Sequence, residues 1–132
     1  MFALSLFIPL QFLTQYTALH LAAMFDNSGS GVRALIEAGA SINALDDIQR
    51  SPLHIAAYWN PAAVPVLLAA NAQVNLLDRY DASPLFRAAY GNQSGSVVAL
   101  CNAGADPHLG KSPLTSIAIK NDIQTLIKCL SN

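Results

Sequence analysis

Apolar residues along this chain come in short clusters, each opened by a hydroxyl residue. Four of them align: TALHLAA (17–23), SPLHIAA (51–57), SPLFRAA (83–89) and SPLTSIA (112–118). Their first residues, Thr17, Ser51, Ser83 and Ser112, stand 34, 32 and 29 residues apart. Behind the first three runs a second phrase, AGASINALDD (38–47), AANAQVNLLD (69–78) and NAGADPHLGK (102–111). Two phrases kept in step at one period mark an internal repeat.

Each phrase has a mechanical reading. A hydroxyl followed by Pro or Ala and then Leu starts a helix: the side-chain oxygen caps orphan N–H groups, and Pro suits the first helical position. The Ala pair that follows keeps one helix face slim, so neighbouring helices can approach. A second helix then carries apolar residues at helical spacing, Val32, Leu35 and Ile36 in the first repeat and Ile123, Leu126, Ile127 and Leu130 in the last. Gly39, Asn71 and Gly104 close the second helices of the first three repeats, because Gly and Asn tolerate the left-handed cap. The Asn- and Asp-rich stretch beyond them predicts a turn before the next helix. Pro65 belongs in the first turn of a shortened second helix, since Pro inside a helix costs about 3 kcal/mol.

One helix pair cannot bury its own apolar face, but a stack of them can. Leu19, Leu53, Leu85 and Leu114 are therefore expected to line one interior. Stacking also uses up an unusual composition: 53% of the 132 residues are hydrophobic and 11% are charged, against roughly 25% charged in ordinary soluble domains. A net charge of −1 supplies no field to attract nucleic acid or an acidic membrane surface. Cys101 and Cys129 each fall among apolar residues and are expected to be reduced, buried small hydrophobes. The segment Met1–Leu13 is too short to span a bilayer, which needs about 20 apolar residues, and it lacks the basic start of a secretory signal. It reads as a helical cap or the remainder of an upstream repeat, with a secreted or membrane-associated form through residues 1–13 as the lesser alternative.

TALHLAA and SPLHIAA resemble the hallmark T-P-L-H-x-A-A of the ankyrin repeat family, which recurs about every 33 residues. The resemblance runs from Thr17 to about Asn132. It implies an all-α solenoid of about four helix-turn-helix repeats with short β-hairpin fingers. The repeats fall at about 17–50, 51–82, 83–111 and 112–132, behind an apolar N-terminal segment 1–16. The sequence departs from the family pattern in three places. Ser28 to Gly31 adds a residue to the first inter-helix turn, the second repeat is one residue short there, and the third finger is cut by four.

Candidate chemistry is sparse. His20 and His54 hold the fourth position of the hallmark phrase, where the resemblance implies that the ring bonds neighbouring backbone; they are copies of one another rather than a ligand pair. His108 has no Cys or carboxylate at metal-ligand spacing. No phosphate loop, nucleophile elbow or carboxylate pair is present. The expectation is therefore no catalysis, no cofactor, no metal and no small-molecule substrate. Asn43 and Asn75, each behind a β-branched residue with a leucine eight positions upstream, resemble the asparagines of ankyrin proteins modified by a 2-oxoglutarate-dependent asparaginyl hydroxylase. The simpler reading, that Asn serves the turn, is favoured.

Family resemblance further implies a partner-binding role for the finger tips and the exposed end of each first helix. Here these are Asp47, Ile48, Arg50, Arg79 and Tyr80 on the fingers, and Met24, Tyr58, Trp59 and Tyr90 behind the Ala pairs. Trp, Tyr and Arg are the residues that dominate interface energetics. Tyr58, Tyr80 and Tyr90 are expected to face outward, with Arg50 and Arg79 orienting the partner; for Phe25 and Trp59, packing between repeats is the competing reading. The leading expectation is a monomeric, cytoplasmic module that binds another protein. The alternative is a regulatory or substrate-recruiting part of a larger enzyme, channel or host-directed effector.

Overall fold

The computed structural model describes residues 16–111, 127 and 129–131. The N-terminal segment and Leu114, Ile123 and Leu126 of the last repeat lie outside them. Three helix pairs follow one another in the described chain: α1 (Ala18–Phe25) and α2 (Ser30–Glu37), α3 (Pro52–Trp59) and α4 (Val64–Ala69), α5 (Pro84–Tyr90) and α6 (Ser94–Asn102). A 3₁₀ turn, Pro61–Ala63, leads into α4. Pro65 sits in the first turn of that six-residue helix, where its missing N–H costs nothing. The architecture is an all-α repeat fold.

First helices begin as the hydroxyl pattern predicts. Thr17 Oγ1 accepts the His20 N–H at 3.2 Å, Ser51 Oγ the His54 N–H at 3.4 Å, and Ser83 Oγ the Phe86 N–H at 3.0 Å. The histidines then reach back: Nδ1 of His20 accepts the Thr17 N–H at 3.2 Å, and Nδ1 of His54 the Ser51 N–H at 3.1 Å. This is a capping box with imidazole in place of the usual carboxylate. An Nδ1 that accepts leaves the proton on Nε2, and that nitrogen donates to the next repeat. His20 Nε2 meets the Arg50 carbonyl and His54 Nε2 the Ala82 carbonyl, both at 2.9 Å. Each ring thus ties a helix start to the end of the finger that follows.

Second helices are closed by left-handed residues at Gly39 (φ 93°), Asn71 (φ 66°) and Gly104 (φ 89°). The added residue of the first inter-helix turn is absorbed by Asp26, whose Oδ2 accepts the Gly31 N–H at 2.6 Å and the Val32 N–H at 3.1 Å at the start of α2. Two amides link successive inter-helix turns: Asn60 Nδ2 donates to the Asp26 carbonyl at 2.7 Å, and Gln93 Nε2 to the Tyr58 carbonyl at 3.0 Å.

Leu19, Leu53 and Leu85 share one buried cluster with Val32, Val64, Val97, Leu67 and Leu100 and with the alanine pairs. Full burial of each such aliphatic side chain is worth about 1.5–3 kcal/mol. Alanine at 56, 57, 88 and 89 lets α3 and α5 pack closely. At the far end, the structure corrects the cysteine expectation. Cys101 and Cys129 are both buried in this cluster, but they are bonded as a disulfide across a Cα–Cα distance of 5.1 Å. Ile127 and Leu130, assigned by their spacing to an apolar face, are 55% and 56% exposed.

The fingers are turns, and no strand occurs among the described residues. A buried aspartate organises each of the first two. Asp46 Oδ1 accepts the Ile48 and Arg50 N–H groups at 3.0 and 2.8 Å; Asp78 Oδ1 accepts those of Tyr80 and Ala82 at 2.9 and 3.0 Å. Neighbouring fingers join through single backbone bonds, Arg79 N–H to the Ile48 carbonyl and Lys111 N–H to the Asp81 carbonyl.

Candidate partner-binding surface

The ends of the first helices and the finger tips meet along one side of the stack. Between α3 and α5 lies a shallow hollow of about 190 Å³, with Tyr58, Trp59, Arg87 and Tyr90 in its lining. A second, of about 310 Å³, adjoins it through Arg87 and Tyr90 and extends to Ile48, Tyr80, Phe86 and Lys111. Trp59 is 55% exposed, Tyr80 53% and Tyr90 57%, so three of the expected aromatics do face solvent.

Three rings decide between the outward and inward readings. Phe25 and Trp59 do not fold under; Phe25 is 71% exposed. Tyr58 is the ring that turns in. It lies edge-on to Trp59, with centroids 4.7 Å apart, and over Gly91, where an added Cβ would come within 2.9 Å of it. The space over a glycine of the next repeat decides the matter, and the single helical step to residue 59 points Trp59 away. Met24, the counterpart of Tyr58 in the first repeat, is half-buried and packs against the core.

Arg50 lines the first hollow as well. Its Nε donates to Asp46 Oδ2 at 2.8 Å and its Nη2 to the Tyr16 hydroxyl at 2.6 Å, so the guanidinium is engaged within the chain. Arg79 is exposed on its finger, while Asp47 and Ile48 are half-buried. The sequence reading missed Arg87, whose Nε and Nη2 donate to Asp78 Oδ2 at 3.0 and 2.5 Å. It also missed Phe86 and Lys111. The Lys111 ammonium lies 5.8 Å from the Phe86 ring centre and 6.0 Å from that of Tyr80, within cation–π range. One signal for the arginines was available: a finger aspartate followed by an arginine able to reach back to it.

The shifted titrations belong to the scaffold. Burial pushes the His54 imidazole below its ordinary value, against a weaker opposing pull from the Ala82 carbonyl it bonds. Burial alone would raise the Asp78 carboxyl. The Arg87 guanidinium and the Ala82 and Tyr80 N–H groups outweigh it and hold the acid below the usual carboxylate range. Asp26 is lowered as well, first by the Ser28 hydroxyl and then by the Val32 N–H.

Asn43 Oδ1 accepts the Gln73 N–H and Asn75 Oδ1 the Asp106 N–H, both at 2.9 Å. Each carboxamide therefore bridges to the following repeat. His108 is exposed, its N–H donating to Asp106 Oδ1 at 2.9 Å. Among the described residues, no group of three or more His, Cys, Asp or Glu could hold a metal ion, and no helix is long and apolar enough to cross a membrane.

The family model described as ankyrin repeats (three copies) matches residues 6–78 of this sequence, more than half of it. No curated protein matches the chain. The matched span takes in the first two described helix pairs and reaches Asp78, the organising aspartate of the second finger.

Proposed function

This chain belongs to the ankyrin-repeat family, and from that premise we propose that it binds a partner protein through the surface formed by Trp59, Tyr80, Tyr90 and the finger tips around them. Ankyrin repeats generally serve protein interaction and are generally non-catalytic. The observation that carries the reading is the exposure of three large aromatics around two adjoining hollows. Beneath them, α3 and α5 are fixed by a buried core and by backbone-directed side chains. A surface held in this way loses little conformational freedom on docking, so modest contacts yield useful affinity. Arg79 and Ile48 extend the contact along the fingers. In this reading residues 112–132 add a fourth repeat, and the protein works as a monomer without cofactor or nucleic acid; the Cys101–Cys129 bond weighs against the expected cytoplasmic location.

The test is site-specific photocrosslinking in source cells. A crosslinker at position 59 or 90 should trap a discrete protein adduct, while one at Gly95, exposed on α6, should not. The double substitution Trp59→Ala, Tyr90→Ala should weaken that association yet shift stability by no more than about 1 kcal/mol, as expected for exposed side chains. Adducts of equal yield at 95 and 59 would contradict the proposal.

A further inference from the structure

In the first two repeats, the third residue of the first helix is a histidine that latches the next finger, His20 to the Arg50 carbonyl and His54 to the Ala82 carbonyl. Phe86 stands there in the third repeat, and a phenyl ring has no N–H to donate. It stacks instead on Tyr90, with centroids 5.9 Å apart and planes 22° from parallel. The larger hollow opens at this point, with Tyr80 and Ile48 as walls and Arg87 and Lys111 as its charged members. Among the described residues, no carboxylate lines it.

The two cations differ. Arg87 is engaged by Asp78. Lys111 lies over two rings, and among the described residues no carboxylate is within ion-pairing distance of its ammonium. The hollow therefore presents an apolar, aromatic interior beside one positive charge that has no carboxylate partner among the described residues. We propose that it receives an apolar side chain of a partner segment with an Asp or Glu beside it, the carboxylate pairing with Lys111. This rests on the protein-binding reading above and names the chemistry of the partner. A basic residue at the same place would meet the Lys111 ammonium with like charge, Arg87 being already offset by Asp78. Buried like charges are what an interface uses to reject a partner.

The experiment is selection of a displayed random peptide library on the full chain, followed by affinity measurements on the selected peptides. Lys111 is exposed, so Lys111→Glu and Lys111→Gln should fold as the parent does. The proposal expects enrichment of an apolar residue beside Asp or Glu, and affinity falling about tenfold or more in Lys111→Glu, with a smaller fall in Lys111→Gln. Phe86→His, which returns the latch, should weaken the same peptides. Enrichment of basic or uncharged peptides, or of acidic peptides that bind Lys111→Glu equally well, overturns the assignment while leaving a protein-binding surface in place. A selection that returns no binder removes both readings.

Discussion

Acidification from pH 7 to about 5.5 should destabilise this protein through His54, in a range where carboxylates hardly titrate. The ring is buried, its Nδ1 accepting the Ser51 N–H at 3.1 Å and its Nε2 donating to the Ala82 carbonyl at 2.9 Å. A proton added to Nδ1 would set two donors against each other, in a site where burial already disfavours the charge. The unfolded chain takes up that proton near pH 6.5, whereas the folded chain does so only at lower pH. Stability is therefore complete above about 6.5 and is lost as pH falls from there toward the folded value. If the folded ring stays neutral throughout, linkage sets the loss at about 1 kcal/mol over this interval. For a chain of this size, that corresponds to a fall of roughly 3–6 °C in Tm.

Thermal unfolding followed by circular dichroism at both pH values, on the parent and on His54→Gln, isolates the effect. Glutamine keeps a donor and an acceptor but does not titrate, so the variant should start less stable and lose less on acidification. His20 and His108 are present in both proteins and cancel in the comparison. Asp78 and Asp26, both lowered, stay ionised across the interval. Equal losses in parent and variant would refute the reasoning, as would a parent that gains stability on acidification.

Two further perturbations probe the scaffold. Asp78→Asn removes the negative charge from a carboxylate whose side chain is fully buried, leaving amide hydrogens facing the Arg87 donors. Because Arg87 keeps 23% of its side chain exposed, water can take over part of its solvation. The expected cost in urea unfolding is about 2–4 kcal/mol, against less than about 0.5 kcal/mol for Arg79→Ala. Reduction should add two hydrogens to the intact mass and lower Tm, since Cys101 and Cys129 close a loop of 28 residues. Chain entropy puts the ceiling on that loss near ~3–4 kcal/mol. Two thiols that titrate in the native, unreduced protein would rule the bond out.

Repetition decides which parts of this protein can be read without coordinates. Thr17, Ser51 and Ser83 begin helices, and Gly39, Asn71 and Gly104 end them, through bonds and backbone conformations that span only a few residues. The alternation that buries Leu19, Leu53 and Leu85 is local too, and all of this was legible. What stayed hidden depends on residues brought together across a repeat. Tyr58 turns inward because Gly91, 33 positions later, leaves room for its ring, and that leaves Trp59 as the exposed member of the pair. Arg50 was read as a partner contact from its place on a finger; its bonds to Asp46 and, across a repeat, to Tyr16 were not legible. The two cysteines, 28 residues apart, carry no local mark of their bond.

The same logic locates function. A motif that recurs from repeat to repeat reports what holds the stack together, so His20 and His54 speak of stability. Phe86 breaks that pattern within an otherwise intact helix start, with Ser83 still capping and Leu85 still buried. Its backbone role survives while its latch is gone. The exchange gives up one hydrogen bond between repeats and leaves an aromatic hollow beside an ammonium with no carboxylate partner among the described residues. On the proposed reading, that exchange makes the third repeat the place where a partner's acidic and apolar groups would be met.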